Sequence, residues 1–349
     1  MAVYQLNPLD DPRWSDFLQG HPKASAFHTP GWLCALRQTY GYEPFVITTT
    51  PPEQPLANGV VLCRVKSWLT GSRIVSVPFS DHCELLTDYH QDLLELLEYL
   101  RGMIKRERIN YCELRPKGSL DLGRSCNGQL GGSETFFLHT LSLQPSLEVL
   151  FRRCHKSCIQ RKVQRAAREE LTIDAGASDC HLKAFYKLLL LTRRRHQLPP
   201  QPFSWFHNLT RSCGDSVLIR VALKNSQPIA SILTMSYKKT TFYKYGCSDA
   251  SLHSLGAMPF LLWDAIREAK ERGATDFDFG RSEPDNAGLI AFKDNWGGTR
   301  TELTYYRYPA EISRTRTNHG RMAAARRVVS ALPDVCVAAL GRLMYRHIG

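Results

Sequence analysis

A single lysine stands between two large aromatic residues late in this chain of 349 residues. The stretch FDFGRSEPDNAGLIAFKDNWGG, residues 277–298, places Lys293 directly after Phe292 and three residues before Trp296. A fixed ammonium group in such a place can stabilise negative charge that develops on a substrate oxygen. A surface lysine can instead lay its methylenes along aromatic rings and keep its ammonium in water. The residue types alone leave both interpretations open.

Asp81 and His82 form a second candidate pair, in PFSDHCELL, directly after a predicted strand. Either side chain could act as a general base towards an incoming ammonium group, because a catalytic base works best when it titrates near the operating pH and histidine does so. The alternative is a turn aspartate followed by a surface histidine. We keep both residues as catalytic candidates.

The sequence predicts no metal site and no P-loop. Cys154, His155 and Cys158 lie close together, but a structural zinc site needs a second pair of ligands, which is missing. The motif G-x-x-x-x-G-K-[ST] is absent. HSLGAMPF, residues 253–260, leads into a predicted helix, whose first backbone amides could bind an anion.

A basic segment, SLEVLFRRCHKSCIQRKVQRAAREEL, lies between the two halves of the chain at residues 146–171. From Arg152 to Arg168 it holds seven lysines or arginines and no acid. Ser146 as N-cap and an apolar stripe predict one amphipathic helix. Its cationic face is a candidate surface for tRNA or another anion, and the alternative is an ordinary solvated face. The candidate cations are Arg152, Arg153, Lys156, Arg161, Lys162 and Arg165.

Composition and charge narrow the class of protein. The net charge is −2 over residues 1–143, +9 over 144–309 and +5 over 310–349, which indicates an anionic partner for the second half. A hydrophobic fraction of 43% indicates a globular fold. There is no apolar run of about eighteen residues and no signal peptide. Because eleven cysteines without regular spacing suggest free thiols, we expect a cytoplasmic protein, or one held at the inner face of the membrane.

The same order of elements occurs twice along the chain. The first half shows a helix at 30–41, strands at 44–50, 59–65 and 73–80, a helix at 89–110 and a strand at 111–116. The second half shows a helix at 180–196, strands at 215–225, 227–238 and 240–248, a helix at 258–273 and a strand at 275–280. We therefore predict an α/β protein with mixed sheets and two similar domains, 1–143 and 144–309, followed by a basic amphipathic tail at 310–349.

One long stretch resembles a known family. FYKYGCSDASLHSLGAMPFLLWDAIREAKERGATDFDFGRSEPDNAGLIAFKDNWGG, residues 242–298, is similar to the closing domain of the Fem-type aminoacyltransferases and of their relatives, the FemAB-like acyltransferases of the GNAT superfamily. The similarity lies in the Tyr-Gly strand end, the helix ending in AKERG, DFDFG, and the segment leading to FKDNWGG. The basic segment resembles the start of that family's second domain, and FHTPGWLCALRQTYGYEPFVI resembles the start of its first.

The resemblance implies two tandem GNAT-like acyltransferase domains and acyl transfer to an amine. It assigns Lys293, the lysine of the FK motif, to stabilising the tetrahedral intermediate. The implied acyl donor is aminoacyl-tRNA or acyl-CoA, with no other cofactor, and the acceptor is an amine of a cell-envelope or exopolysaccharide precursor. The candidate substrate-binding residues are Arg37, which is the best local match to a phosphate-holding residue of the family, and Arg115, Tyr245, Arg281, Asn286, Phe292 and Trp296.

The chain also departs from the family pattern. Gln201 stands near the place of an arginine expected to hold phosphates, and Arg115 stands near the place of an aspartate found beside the acceptor amine in some members. The coenzyme A loop R/Q-x-x-G-x-G/A is missing its usual form. Two alternatives therefore stay open: an acyl-CoA-dependent N-acetyltransferase, and a non-catalytic basic protein that binds RNA, or a membrane through an interfacial helix in 310–349.

Overall fold

The computed structural model describes residues 2–120, 130–310 and 334–348, and these form two compact units. The first unit holds the described residues up to 135, together with 303–310 and 342–348. The second holds residues 136–302 and 334–341. The units change over at 135/136 and 302/303, and the last residues of the chain belong to the first unit. The predicted domain boundaries at 143 and 309 stay predictions. No helix in the described residues is long and apolar enough to cross a membrane.

The first unit is built on a sheet with the order β1-β2-β3-β4-β5. All neighbouring strands are antiparallel except β4 and β5, which are parallel and are joined through α3. The elements are β1 (Tyr4–Leu6), α1 (Pro12–Gly20), α2 (Pro30–Tyr40), β2 (Glu43–Thr48), β3 (Val60–Ser67), β4 (Gly71–Val75), α3 (His90–Arg106) and β5 (Tyr111–Leu114).

The ends of α2 lie where the sequence predicts them, and the end of β4 does not. Pro30 opens α2, and Gly41 ends it with a φ of +72°, a conformation that glycine adopts without strain. The predicted strand at 73–80 stops at Val75, because Val77 and Phe79 have positive φ values and leave the extended conformation.

The second unit is built on a sheet with the order β6-β11-β10-β9-β8-β7. Its elements are β6 (Gly131–Ser142), α4 (Leu147–Arg153), α5 (Arg161–Arg168), β7 (Thr172–Gly176), α6 (Asp179–Arg195), α7 (Phe203–Cys213), β8 (Val217–Lys224), β9 (Gln227–Tyr237), β10 (Thr240–Ser248), α8 (Ala257–Glu271), β11 (Asp276–Ser282) and α9 (Ala287–Asp294). The strand β12 (Thr299–Tyr308) and the helix α10 (Asp334–Ile348) follow. Part of the predicted tail, 311–333, lies outside the described residues.

The repeated order of elements is confirmed. In the first unit β4, α3 and β5 form a parallel strand-helix-strand unit, and in the second β10, α8 and β11 do the same. Antiparallel strands precede this unit in both cases. The structure is therefore a mixed α/β protein with two similar units, as the sequence predicts.

A buried ion-pair network in the first unit involves Arg115. The carboxylate of Glu113 lies between two guanidinium groups, 2.8 Å from Arg115 and 2.6 Å from Arg307. Arg115 also donates to the carbonyl oxygens of Val77 and Ser80. Burial alone would raise the pKa of Glu113, but Arg115 and Arg307 outweigh it and hold that pKa at about 2. Arg115 thus forms an ion pair and hydrogen bonds that stabilise the first unit.

Candidate functional site

A cavity of about 460 Å³ lies in the second unit near the place where two parallel strands cease to pair. β10 and β11 are paired only at their beginnings, Thr240–Phe242 against Asp276–Asp278, and β10 then has a bulge between Tyr243 and Tyr245. The cavity is lined by the end of β10, the start of α8 and one side of α9. Crevices beyond the carboxyl ends of parallel strands are usual ligand sites in α/β proteins.

The N-terminus of α8 borders this cavity and has no side-chain cap. Gly256 precedes the helix with a φ of +80°, and Ala257, Met258 and Pro259 at its first turn all line the cavity. Uncapped amides at a helix N-terminus attract anions through hydrogen bonds and the helix dipole. The lining also contains one acid, Asp249, whose carboxylate accepts hydrogen bonds from Ser251. The predicted anion site at 253–260 thus lies at a cavity.

Two cations, Lys162 and Arg195, line the same cavity together with His196 and His253. The Arg195 guanidinium lies 3.2 Å from Nε2 of His253 and 3.3 Å from Nε2 of His196, and the Ser248 hydroxyl lies 2.8 Å from the same nitrogen of His253. Burial lowers the pKa of both histidines, and the charge of Arg195 lowers it further. The histidines are therefore neutral acceptors that hold Arg195 in place, and the cavity keeps a positive character.

Gly256 allows α5 to approach the start of α8, and this makes its replacement costly. A Cβ atom there would overlap the carbonyl oxygen of Lys162, and the φ of +80° disfavours other residues. We expect Gly256→Ala to lower the free energy of unfolding by at least about 2 kcal/mol in urea denaturation. In Gly102→Ala, within α3, the new Cβ meets only the flexible end of Arg106. That control should be neutral or stabilising by up to about 1 kcal/mol; equal losses would contradict the close approach.

The prediction of one continuous helix over the basic segment is wrong. The segment forms α4, a break at Cys154 and His155, a π-helical turn at Lys156–Gln160, and α5. The break occurs because the His155 amide donates to the carbonyl of Asn295 (2.8 Å), while its Nδ1 accepts from the Cys158 amide. The predicted N-cap, Ser146, is observed.

The six predicted anion-binding cations lie on both sides of this break, and they differ in whether they reach the cavity. Lys162 lines the cavity, whereas the other five do not. All six are exposed. The five that do not line the cavity are Arg152, Arg153, Lys156, Arg161 and Arg165. The binding of tRNA or another anion by all six stays a prediction.

Lys293 is buried, with only 3% of its surface exposed. Its Nζ donates to the carbonyl oxygens of Gly280 and Arg281, each at 2.8 Å, near the end of β11. These two carbonyls converge because Gly280 has a φ of +72° and its amide is held by the carboxylate of Asp278 at 2.7 Å. A surface lysine that keeps its ammonium in water is therefore excluded. The ammonium is a fixed positive charge inside the second unit.

A polar group that the sequence does not predict lies beside Lys293. His139 on β6 places Nε2 3.1 Å from the carboxylate of Asp294, whose other oxygen accepts from Arg300 at 3.1 Å. Burial lowers the pKa of His139, and the charge of Lys293 lowers it further. The neutral ring donates from Nε2, and among the described residues its buried Nδ1 has no hydrogen-bond partner. No local signal marks His139, because Asp294 lies 155 residues later in the chain.

The other predicted substrate residues of the second unit have different surroundings. Phe292 lines the cavity, whereas Trp296 is fully buried in the core against Phe279. The Tyr245 hydroxyl accepts from the indole of Trp205 at 3.0 Å. Asn286 caps the N-terminus of α9, and the Arg281 guanidinium lies 4.0 Å from the ring centre of Phe136. The substrate-binding roles of these five residues stay predictions.

The remaining predicted site residues belong to the first unit. Asp81 and His82 follow β4, where the Asp81 carbonyl accepts from the Tyr305 hydroxyl at 2.6 Å and the His82 ring packs edge-on against Phe27. Arg37 is exposed in the last turn of α2. The cavity of the second unit contains none of these residues, and their catalytic and substrate-binding roles stay predictions.

Comparison with known proteins finds a family match within the second unit. Residues 153–293 match the model of a family described as an acetyltransferase (GNAT) domain. The match runs from the end of α4 into α9 and includes Lys293 and every residue that lines the cavity except Asn295. No sequence among curated proteins matches the chain.

Solved structures are similar to most of the chain. FemX covers 93% of this chain and 100% of its own, with a TM-score of 0.70 and 15% identity. A second structure is the C-terminal domain of a protein from Agrobacterium fabrum, described as a lysylphosphatidylglycerol synthetase. It covers 92% of this chain and 95% of its own, with a TM-score of 0.55 and 14% identity. A tandem GNAT protein from the clavulanic acid biosynthesis pathway covers 89% of this chain and 99% of its own, with a TM-score of 0.53 and 10% identity. The predicted tandem GNAT fold is confirmed, and the predicted resemblance to the Fem-type proteins is confirmed as a resemblance of fold.

Proposed function

Because residues 153–293 carry a GNAT acetyltransferase domain, we propose that this protein is an N-acyltransferase whose second unit binds the acyl donor. The cavity beside β10 and α8 carries the proposal. It joins an uncapped helix N-terminus to two cations, Lys162 and Arg195, in one pocket. Such a pocket suits the phosphates of an activated acyl carrier, since amides and cations both stabilise them.

Two donor classes share this chemistry. Acyl-CoA carries a pyrophosphate, and aminoacyl-tRNA carries backbone phosphates close to its acyl ester. The Fem-type resemblance and the basic residues around 152–168 favour aminoacyl-tRNA. The description of the matching family as an acetyltransferase domain favours acyl-CoA instead, and this makes an acyl-CoA-dependent N-acetyltransferase the second candidate.

The reaction requires charge stabilisation at the acyl carbon. A neutral amine attacks the carbonyl of the donor, a C–N bond forms, and the carbonyl oxygen becomes an oxyanion before the bond to the carrier breaks. The buried ammonium of Lys293 would stabilise that oxyanion, and a preorganised donor of this kind contributes about 2.7–4 kcal/mol. The backbone carbonyls of Gly280 and Arg281 hold the ammonium in place, so it needs no rearrangement during the reaction.

The acceptor we propose is an amine of a cell-envelope or exopolysaccharide precursor. The name of the Agrobacterium fabrum protein specifies an aminoacylated phospholipid, which supports an acceptor in the envelope; the amine rests on the Fem-type resemblance alone, because the lysyl group of that lipid is an ester on a hydroxyl. Asp81 and His82 stay candidates for the base that accepts the proton of the amine. A non-catalytic RNA-binding protein would need the cationic surface alone and would not need a buried lysine held by the carbonyls of Gly280 and Arg281.

Donor binding tests the proposal through two neighbouring arginines. Arg195 lines the cavity and Arg194 does not, although both are exposed at the end of α6. We expect Arg195→Gln to weaken binding of acyl-CoA or aminoacyl-tRNA by about tenfold, the loss of one charge-assisted contact. Arg194→Gln should change it less than twofold. Isothermal titration across a salt series measures both constants.

Three outcomes separate the candidates. Saturable binding of acetyl-CoA alone selects the CoA-dependent enzyme. A preference for charged over uncharged tRNA selects the Fem-type donor. Equal effects of the two arginine variants, or binding of tRNA that ignores its acyl group, would contradict a donor site in this cavity.

A further inference from the structure

The first unit presents an exposed apolar patch at a hairpin tip. Trp68 and Leu69, at the turn between β3 and β4, are 82% and 64% exposed. The Trp68 ring packs edge-on against the ring of His347 near the end of α10, and the two ring centres are 5.4 Å apart. Leu343, one helical turn before His347, is 57% exposed. We call Trp68, Leu69 and Leu343 the hairpin patch.

The hairpin patch is held rigidly by hydrogen bonds at the end of α10. The carbonyl of His347 accepts from Arg73 at 2.8 Å and from Thr70 at 3.1 Å. The Ser67 hydroxyl lies 2.9 Å from Nδ1 of His347, and the Tyr42 hydroxyl donates to the carbonyl of Tyr345 at 2.9 Å. These donors satisfy the last carbonyls of the helix, which otherwise remain unpaired. The exposed side chains therefore stand on a fixed base.

Positive charge accompanies the hairpin patch. Arg342 and Arg346 are exposed on α10, in the same turns as Leu343. The sequence just before the helix, residues 311–333, contains five arginines and one acid. A two-fold contact through the patch would bring Arg342 and Arg346 of the two copies together, which disfavours self-association. Trp and Leu with arginines at their side match a bilayer, where the indole sits among head groups and the guanidinium groups meet lipid phosphates.

We propose that the hairpin patch docks the first unit onto an anionic lipid bilayer. Trp68, Leu69 and Leu343 enter the head-group region, and Arg342 and Arg346 contact the phosphates of the lipids. The contact is peripheral and reversible, because few apolar side chains enter the bilayer. This inference does not depend on the proposed acyl transfer.

Vesicle binding of the full chain tests this inference. The wild type should sediment with vesicles of phosphatidylcholine and phosphatidylglycerol, and much less with phosphatidylcholine alone or at high salt. The double variant Trp68→Ser/Leu69→Ser should lower the partition coefficient at least about tenfold. Tyr89→Ser is the matched control, since Tyr89 is 74% exposed in the same unit, and it should leave binding unchanged. Arg342→Gln/Arg346→Gln should reduce the preference for phosphatidylglycerol.

Three results would overturn the inference. One is the absence of binding to anionic vesicles, and another is equal binding by the wild type and the Trp68→Ser/Leu69→Ser variant. The third is a concentration-dependent dimer in analytical ultracentrifugation that the same variant abolishes, because a second copy would then cover the patch. Thermal melts show that the variants are folded, as expected for exposed positions.

Discussion

Lys293→Met should lower the rate of acyl transfer by about a hundredfold to a thousandfold, because in the proposed mechanism it removes the charge that stabilises the oxyanion. Methionine fills a similar volume but cannot donate to the carbonyls of Gly280 and Arg281. Two buried acceptors then lose their partner, which costs about 1–3 kcal/mol each in stability. Rates must therefore be compared well below the melting temperature of the variant, with binding of the donor measured in parallel.

Lys270→Met separates the catalytic effect of Lys293→Met from its structural effect. Lys270 also donates to backbone carbonyls of the second unit, those of Leu143 at 2.6 Å and Gln144 at 3.4 Å, but it lies on α8, outside the FK segment to which the proposed role belongs. This control should lose stability and keep its transfer rate. If Lys293→Met kept its rate as well, the role assigned to Lys293 would be wrong.

Glu113→Gln should destabilise the first unit by about 3–5 kcal/mol, because it removes the carboxylate charge that lies between the buried Arg115 and Arg307 guanidinium groups. Glu43→Gln is the matched control: Glu43 pairs with Lys66 at 2.9 Å, but both side chains are exposed. Such surface pairs contribute little, so the control should lose less than about 0.5 kcal/mol. Urea denaturation at pH 7 measures both. A small loss in Glu113→Gln would show that the network does not hold the unit together.

The same carboxylate predicts acid sensitivity. The pKa of Glu113 is lowered from 4.5 to about 2 in the folded protein, so the unfolded chain takes up this proton first as the pH falls. The stabilisation is thus complete above pH 4.5 and is lost between that value and pH 2. The stability of the wild type should fall over this range, and the fall should be smaller in Glu113→Gln.

Local patterns predicted the helices whose ends are marked by proline or glycine in the sequence. Pro30 and Gly41 mark α2, and Gly273, with a φ of +80°, marks the end of α8. The strands β6 and β12 were not predicted, because their sequences are polar and carry no such marks. β6 begins with two glycines, and its partner β11 lies far along the chain. The break at His155 was missed for the same reason, since the carbonyl that causes it belongs to Asn295.

The candidate site was only partly predictable. Sequence singled out Lys293 and the start of α8, because a lysine between aromatics and a strand-to-helix turn are visible locally. It gave no sign that Arg195 is held by His196 and His253, or that His139 lies beside Lys293. These contacts depend on the packing of distant elements.

Transfer of a labelled acyl group tests the central claim most directly. The full chain is incubated with radiolabelled aminoacyl-tRNA or acetyl-CoA and with fractionated envelope and polysaccharide precursors that carry free amines. We predict label in an alkali-stable amide with one donor, and at most about one hundredth of that rate with Lys293→Met. Label that stays on both donors, or transfer equally fast without Lys293, would contradict the claim.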